Sequence, residues 1–324
     1  MSLDCRTRRS CGPALSVVSP RHELMSQPQR IEIRINPAEA MAVKAVIERS
    51  PPDVLYHYTT RKPLLEILES RSVFASHIRY LNDAQEMAFA IRRAREVLNA
   101  RRAGADVEET GIYNELDRYL QYLEPQSHVF VFSMSQADDL LSQWRAYCTP
   151  SNGYAIGFDG KALAGHARTQ HSFMAPCVYV DADQQRLVEQ LIDDSVREFR
   201  AKRTQGVSSD DSLLAVAGLF LISFHIVAPV LKDLAFMEER EWRLILPMYG
   251  VGHPSIRYRA GRTLLVPYVP LTLAADKQTL PIREVVVGPT AHHQLEAQAV
   301  LGLLVRVGAA STAVRQSRVP YRTW

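Results

Sequence analysis

The feature that most constrains the fold is a set of short strand-like segments separated by helical stretches of unequal length. The strongest strand signal is HVFVFSMS at 128–135, and others lie at 54–60, 154–159, 239–246 and 283–287. The chain shows neither a regular β-α-β alternation nor a glycine-rich phosphate loop. This pattern predicts an α+β fold in which these strands build a split, mixed sheet with helices around it.

One segment raises the question of a membrane. Residues 213–231 contain no formally charged side chain, and that length is sufficient to span a bilayer. However, His225 and Pro229 interrupt the segment, and Asp211 and Lys232 flank it closely. We therefore expect a buried core helix that ends near Pro229, with no membrane partner.

Length and composition exclude several classes of protein. The chain has 324 residues with a net charge of +3, and 47% of them are apolar, whereas disorder over most of a chain requires low hydrophobicity and high net charge. The four cysteines form no CxxC pair, which argues against a structural zinc site or a disulfide scaffold and favours the reducing cytoplasm.

The chain divides into three predicted parts. Residues 1–35 are polar and lack the apolar core of a signal peptide, so they predict a disordered tail or a start codon placed too early. Residues 36–53 predict a short helix and a connector. Residues 54–324 predict a single α+β domain with helical insertions.

Four clusters of residues could carry chemistry. They are Tyr56, His57, Tyr58 and Thr59; Ser133 and Ser135; Trp144, Arg145 and Tyr147; and Glu239 and Glu241, with Trp242 and Arg243 adjoining. With the two-residue period of a strand, His57 and Thr59 share one face. A lone His, a serine at a strand end and an exposed Glu pair are each commonly structural. Glu239 and Glu241 are harder to explain in that way, because the apolar segment that follows indicates a buried strand, and buried carboxylates cost free energy unless they are paired or functional.

The order of several motifs resembles one bacterial family. LYHYTT is followed by a helix that ends in ILES, then by FAS and YLND.QE; FSMS, DDLLSQWRAY and GYAIGFD occupy the middle; EREWRLIL and IREVVVGP come last. This order is similar to that of the bacterial proteins grouped as domain of unknown function 2971, over about residues 54–319. The family name implies no activity.

A more distant resemblance does imply an activity. A strand with His, a helix, a short strand, a strand with hydroxyl residues and a late strand with Glu together look like the ADP-ribosyltransferase fold with its His–Tyr/Ser–Glu trio. The resemblance implies that His57 holds the nicotinamide ribose of NAD and that Ser133 or Ser135 supports the nicotinamide ring. It implies that Glu241 stabilises the oxocarbenium-like centre as nicotinamide leaves, and that Glu239 completes a Glu-x-Glu pair like that of the Arg-modifying subgroup. The chain departs from the family pattern because no Tyr stands in the second motif and the insertions between strands are long.

This resemblance makes NAD the substrate and leaves a protein or a nucleic acid as the acceptor of ADP-ribose, as in a toxin or a phage-defence effector. Cleavage of the nicotinamide–ribose bond needs positioning and stabilisation of positive charge, and no metal-ligand spacing is present. The residues expected to bind NAD are His57, Tyr58, Thr59, Ser133, Ser135, Trp144, Arg145 and Tyr147. Five residues are expected to line one pocket: His57, Ser133, Trp144, Tyr147 and Glu241.

Two alternatives remain open on the sequence. Asp138, Asp139, Glu239 and Glu241 could hold Mg²⁺ in a metal-dependent nuclease or phosphohydrolase. An aromatic-lined cleft could instead serve a non-catalytic module that senses a nucleotide. The positions of these carboxylates relative to His57 distinguish the three hypotheses.

Overall fold

The computed structural model describes residues 39–320, with gaps at 82–85, 127, 149–152, 247–249, 251, 262 and 276–277; the predicted tail at 1–35 lies outside the described residues. Within the described residues the chain forms nine α-helices and ten strands. The helices are α1 (Met41–Ile47), α2 (Arg61–Ser70), α3 (Glu86–Arg102), α4 (Val107–Gln126), α5 (Leu141–Tyr147), α6 (Gly160–Thr169), α7 (Asp181–Thr204), α8 (Ser209–Val227) and α9 (His293–Arg306). The strands are β1 (Val54–Thr60), β2 (Ser72–His77), β3 (Phe130–Ser135), β4 (Gly153–Asp159), β5 (Phe173–Pro176), β6 (Glu241–Leu246), β7 (Arg257–Ala260), β8 (Leu265–Thr272), β9 (Ile282–Val287) and β10 (Ala313–Gln316).

The ten strands form one mixed sheet. Eight of them follow the order β10-β9-β4-β1-β3-β2-β8-β7, while β6 pairs with β3 and β5 pairs with β6. The β9–β10 pair is parallel, and the pairs around the centre of the sheet are antiparallel. The predicted α+β class with a mixed sheet is therefore confirmed.

The sheet splits at β3. Along one edge β3 pairs with β6 over its full length. On the other edge only its ends are paired, Ser135 with Tyr56 of β1 and Phe130 with His77 of β2. The middle of β3, around Phe132, therefore faces the space between β1 and β2. This gap positions the site described below.

Two helical insertions pack against each other. Helices α3 and α4 lie between β2 and β3 in the chain, and α7 and α8 lie between β5 and β6; α3 contacts α7, and α4 contacts α8. Their apolar faces build one core, in which Phe220 and Phe224 of α8 are fully buried. A second core joins the sheet to α2, α6 and α9. The ends of the two insertions meet β6, and this meeting brings charged residues together.

Helix α8 is a core helix, as the sequence predicts. It is the one described helix long and apolar enough to cross a membrane by length and composition, and 78% of its most apolar stretch is buried inside the protein. The α-helix ends at Val227, and a 3-10 turn over Ala228–Val230 contains Pro229. The apolar run is explained by packing against α7 and α4.

One strand boundary differs from the prediction in a way that affects the site. The strand expected over 239–246 begins at Glu241, because residues Leu234–Glu239 form a 3-10 turn. Arg240 closes that turn in the left-handed region with φ of 45°. Glu239 and Glu241 therefore do not extend from one strand at a spacing of two, and their relation is set by the turn.

Candidate functional site

A cavity of about 600 Å³ opens at the split in the sheet. Its lining includes His57 and Thr59 from β1, Ser133 from β3, and both Glu239 and Glu241. These residues are far apart in the sequence. A recess of about 50 Å³ shares His57, Ser133 and both glutamates with the cavity, and it adds Ser135 to the lining. The structure therefore brings the first, second and fourth predicted clusters together.

His57 is fixed by a hydrogen bond across the split. Its Nδ1 lies 2.9 Å from the backbone oxygen of Ser133, and because a carbonyl oxygen can only accept, Nδ1 carries the proton. Burial lowers the pKa of His57 to about 4, which keeps the ring neutral at pH 7. Its Nε2 is then an acceptor without a partner among the described residues. This acceptor suits a hydroxyl group of a ligand.

The two serines on β3 have different roles. Ser133 lines the cavity and is half-buried. Ser135 is buried, and its hydroxyl donates to the backbone oxygen of Glu239 at 2.7 Å and accepts from the N–H of Ala137 at 2.9 Å. Ser135 therefore ties the end of β3 to the turn that carries Glu239, whereas Ser133 remains the serine exposed to a ligand.

The two glutamates share one buried ammonium group. Lys232 Nζ lies 2.5 Å from an oxygen of Glu239 and 2.5 Å from an oxygen of Glu241, and it also lies 4.8 Å from the ring centre of Phe236. Lys232 follows α8 and is only 4% exposed. The carboxylate at Glu241 would be costly to bury alone, and Lys232 provides part of its compensation.

Arg243 supplies the rest of the compensation. It follows Glu241 by two residues on β6, and its Nε donates to Glu241 at 2.7 Å. Its two terminal nitrogens each lie 2.7 Å from an oxygen of Glu86, at the start of α3, and one also donates to the backbone oxygen of Pro229 at 2.6 Å. Arg243 thus joins β6 to both helical insertions through a bidentate pair.

The network carries a formal net charge of −1, since three carboxylates face two cations. Burial alone would raise the pKa of Glu241, but Arg243 and Lys232 outweigh it and lower that pKa to about 2. Burial raises the pKa of Glu239 against the opposing effect of Lys232. Both oxygens of Glu241 are occupied, whereas Glu239 Oε1 has no partner among the described residues and its side chain is 14% exposed. Glu239 is therefore the carboxylate more available to a ligand.

The third predicted cluster divides. Tyr147 lines both the cavity and the recess, and it is 38% exposed. Trp144 lines neither of them: it is buried, packs edge-on against Tyr58 with ring centres 4.7 Å apart, and donates from Nε1 to Asp139 at 2.8 Å. Its predicted place in the pocket is thus wrong, because the helix turns its indole into the core. Arg145 is exposed and lies outside the lining.

Tyr58 and Thr59 belong to the cavity wall. The hydroxyl of Tyr58 donates to the backbone oxygen of Ala137 at 2.8 Å and accepts from the N–H of Leu140 at 3.0 Å. Tyr58 therefore holds the segment between β3 and α5, while Thr59 is buried and accepts from Cys148 through its backbone oxygen at 3.3 Å.

The aspartates of the metal hypothesis lie elsewhere. Asp138 pairs with Arg315 at 2.8 Å, and Asp139 accepts from Ser317 at 2.6 Å and from the N–H of Arg318 at 2.6 Å. Neither aspartate lines the cavity with Glu239. Within the described parts of the chain, no group of three or more His, Cys, Asp or Glu side chains could hold a metal ion.

Lys232 and Glu86 are members of the site that the sequence did not assign to it, and Arg243, which adjoins the predicted Glu pair, was expected to have no role of its own. Arg243 offers a sequence signal, because an acidic and a basic residue two apart on a strand share a face. Glu86 and Lys232 offer none, since only the meeting of α3 and the end of α8 with β6 places them there.

The comparisons with known proteins agree with the family resemblance and go no further. Residues 143–244 match the model of a family described as "Protein of unknown function (DUF2971)". Over this part of the chain, which includes Glu239, Glu241 and Arg243, the family predicted from the sequence is confirmed. No curated protein matches the chain. No solved structure matches it either.

Proposed function

We propose that the chain binds NAD in the cavity and breaks the bond between nicotinamide and ribose, as an ADP-ribosyltransferase-like enzyme. The observation that carries this proposal is the convergence of His57, Ser133 and the Glu239–Glu241 pair on one cavity. The three predicted parts of the trio come from different strands. Their convergence supports an ADP-ribosyltransferase-like arrangement of the split sheet.

The charges of the site suit this reaction. When the bond between C1′ of the ribose and the nicotinamide nitrogen breaks, its electron pair leaves with nicotinamide and the ribose becomes an oxocarbenium-like cation. The network has one negative charge in excess, and Glu239, whose Oε1 has no partner among the described residues, lines the cavity. In this proposal Glu239 contacts the cationic ribose, and Glu241 stabilises it at longer range while it holds Lys232. Preorganised charge of this kind is the largest contribution that most such sites make.

His57 and Ser133 have positioning roles in the proposal. His57 Nε2 accepts a ribose hydroxyl, because Nδ1 is committed to the backbone of Ser133. Ser133 and Tyr147 lie on the walls against which a nicotinamide ring packs.

The acceptor is a protein or a nucleic acid, which forms the new bond to C1′ and loses a proton. The free Cys148 and Cys177 agree with a cytoplasmic location.

The test is an incubation with NAD labelled separately on nicotinamide and on adenine, with protein, RNA, DNA and water as acceptors. We expect release of nicotinamide by the wild type and transfer of the adenine label to one acceptor class. His57→Ala should weaken NAD binding and turnover together, since it acts on the ribose in both the ground and the transition state. NAD binding without release by folded protein would favour the non-catalytic nucleotide-sensing module.

A further inference from the structure

The cavity contains four basic side chains that fall into two groups. Lys232 and Arg243 are buried and neutralised by the three glutamates of the network. Arg259 of β7 and Arg92 of α3 also line the cavity, but both are exposed. Within the described residues, neither Arg92 nor Arg259 forms an ion pair with a carboxylate.

Arg259 is held in place by uncharged groups. Its Nη2 donates to the hydroxyl of Ser76 on β2 at 2.8 Å, and its guanidinium carbon lies 5.9 Å from the ring centre of Tyr268 on β8. Ser76 lies opposite Tyr268 in the β2–β8 pairing, and the Tyr268 ring contacts Phe74 with centres 4.9 Å apart. Among the described residues no carboxylate lies within ion-pair distance of Arg259, and Glu66 acts on its charge only at longer range. The remaining N–H groups of the guanidinium are thus left for an anion.

Arg259 also lies within electrostatic range of the proposed ribose site. Burial and, to a smaller extent, the positive charge of Arg259 lower the pKa of His57. Arg92 packs its guanidinium 5.5 Å from the ring centre of Phe89, which is itself part of the cavity wall. The cavity is therefore lined both by the carboxylate network, which carries a net negative charge, and by two arginines that form no ion pair with a carboxylate among the described residues.

We propose that Arg259, assisted by Arg92, binds the diphosphate of a nucleotide whose ribose lies between these arginines and Glu239. The identification of that diphosphate as the one in NAD rests on the function proposed above, whereas the anion site itself does not. Arginine recognises phosphate through paired, charge-assisted hydrogen bonds, and Phe74, Tyr80 and Phe89 offer aromatic surface beside it for a base. In this arrangement the ligand has a single orientation in the cavity, with its diphosphate at Arg259 and its ribose toward Glu239.

The test compares the binding of ADP with that of adenosine by calorimetry. The variants are Arg259→Gln and, as a matched control on the same exposed strand, Arg257→Gln, because Arg257 does not line the cavity. A hydrogen-bonded contact to a charged group is worth about 10- to 100-fold in affinity. We expect Arg259→Gln to weaken ADP binding by about that factor, to leave adenosine binding unchanged, and to reduce the salt dependence of ADP binding. Arg257→Gln should behave as the wild type.

The proposal is overturned if the wild type binds no ADP, if it binds ADP and adenosine equally, or if Arg259→Gln binds ADP as tightly as the wild type does. Melting curves check folding, and Arg92→Gln provides a second variant on a different element. Nicotinamide release separates the two proposals. If the wild type releases nicotinamide and Arg259→Gln binds ADP as tightly as the wild type does, the proposed anion site is contradicted and the proposed catalytic function is supported. If the wild type releases no nicotinamide and Arg259→Gln shows the expected loss of ADP binding, the proposed catalytic function is contradicted and the proposed anion site is supported.

Discussion

Replacing Glu241 with Gln tests the buried ion network. The pKa of Glu241 lies at about 2 instead of 4.5, and each pKa unit is worth about 1.4 kcal/mol, so its ionised form contributes about 3 kcal/mol to the free energy of unfolding at pH 7. Breaking a buried ion pair by removing one partner costs about 3–5 kcal/mol, which is consistent with this value. Glu241→Gln should therefore unfold at a clearly lower urea concentration.

The pH dependence of that loss has a definite sign. A carboxylate whose pKa is lower in the folded than in the unfolded chain contributes its full stabilisation above the unfolded pKa of about 4.5, and the contribution disappears as the pH falls toward 2. The difference in stability between the wild type and Glu241→Gln should be constant from pH 7 to about pH 5.5. About three quarters of the difference should remain at pH 4.

The assay is urea denaturation followed by circular dichroism at pH 7, 5.5 and 4. Glu238→Gln is the matched control, because Glu238 is exposed, lies outside the cavity and is three residues away. Equal stability of Glu241→Gln and Glu238→Gln, or a difference that grows as the pH falls, would refute the assignment of Glu241 to a stabilising buried network.

Two further predictions concern the fold. Gly160→Ala should destabilise the protein by about 1–3 kcal/mol in urea denaturation, because an added Cβ would lie 2.0 Å from the backbone oxygen of Pro52. Gly165→Ala on the same helix is the control: its Cβ would meet no atom within 4 Å, so it should be neutral or stabilising. Equal effects of the two substitutions would contradict the tight contact at Gly160. Burial lowers the pKa of His225 to about 4, below its ordinary 6.5. The unfolded chain therefore binds a proton on His225 more readily than the folded chain does, and the free energy of unfolding decreases as the pH is lowered from 6.5 to 4. His225→Leu should remove up to about 3 kcal/mol of that pH-dependent change in the free energy of unfolding, as measured by urea denaturation across this range with the exposed His292→Leu as the control variant. An unchanged slope in His225→Leu would show that His225 is not responsible.

The fold class and most central strands could be predicted from local patterns. HVFVFSMS and YAIGFD alternate or run apolar for the length of a strand, and β3 and β4 begin within two residues of the predicted positions. The four-residue β7 was not predicted, because all its residues are exposed and it shows no apolar alternation. The start of β6 shifted by two residues because Arg240 adopts a left-handed conformation, which the residue type does not reveal.

The candidate site was predictable in part for a similar reason. His57, Ser133 and Glu241 lie in strands whose local signals are strong, so their places on strands could be predicted, whereas the structure shows which of these strands are neighbours. Lys232 and Glu86 reach the site from the ends of the helical insertions, and no local pattern encodes how those insertions pack. Trp144 was misplaced because the face that a seven-residue helix buries cannot be determined from so short a period.

The most direct measurement of the central claim is the rate of nicotinamide release from NAD by Glu239→Gln compared with the wild type and Glu238→Gln. Glu239 lines the cavity, and its Oε1 has no partner in the described part of the chain; Gln keeps the shape of this side chain while removing its charge. If Glu239 stabilises the cationic ribose, its replacement should lower the rate by about 10²- to 10³-fold with folding retained, while Glu238→Gln keeps the wild-type rate. Equal release by all three proteins, or no release by the folded wild type with any acceptor, would contradict the proposed chemistry.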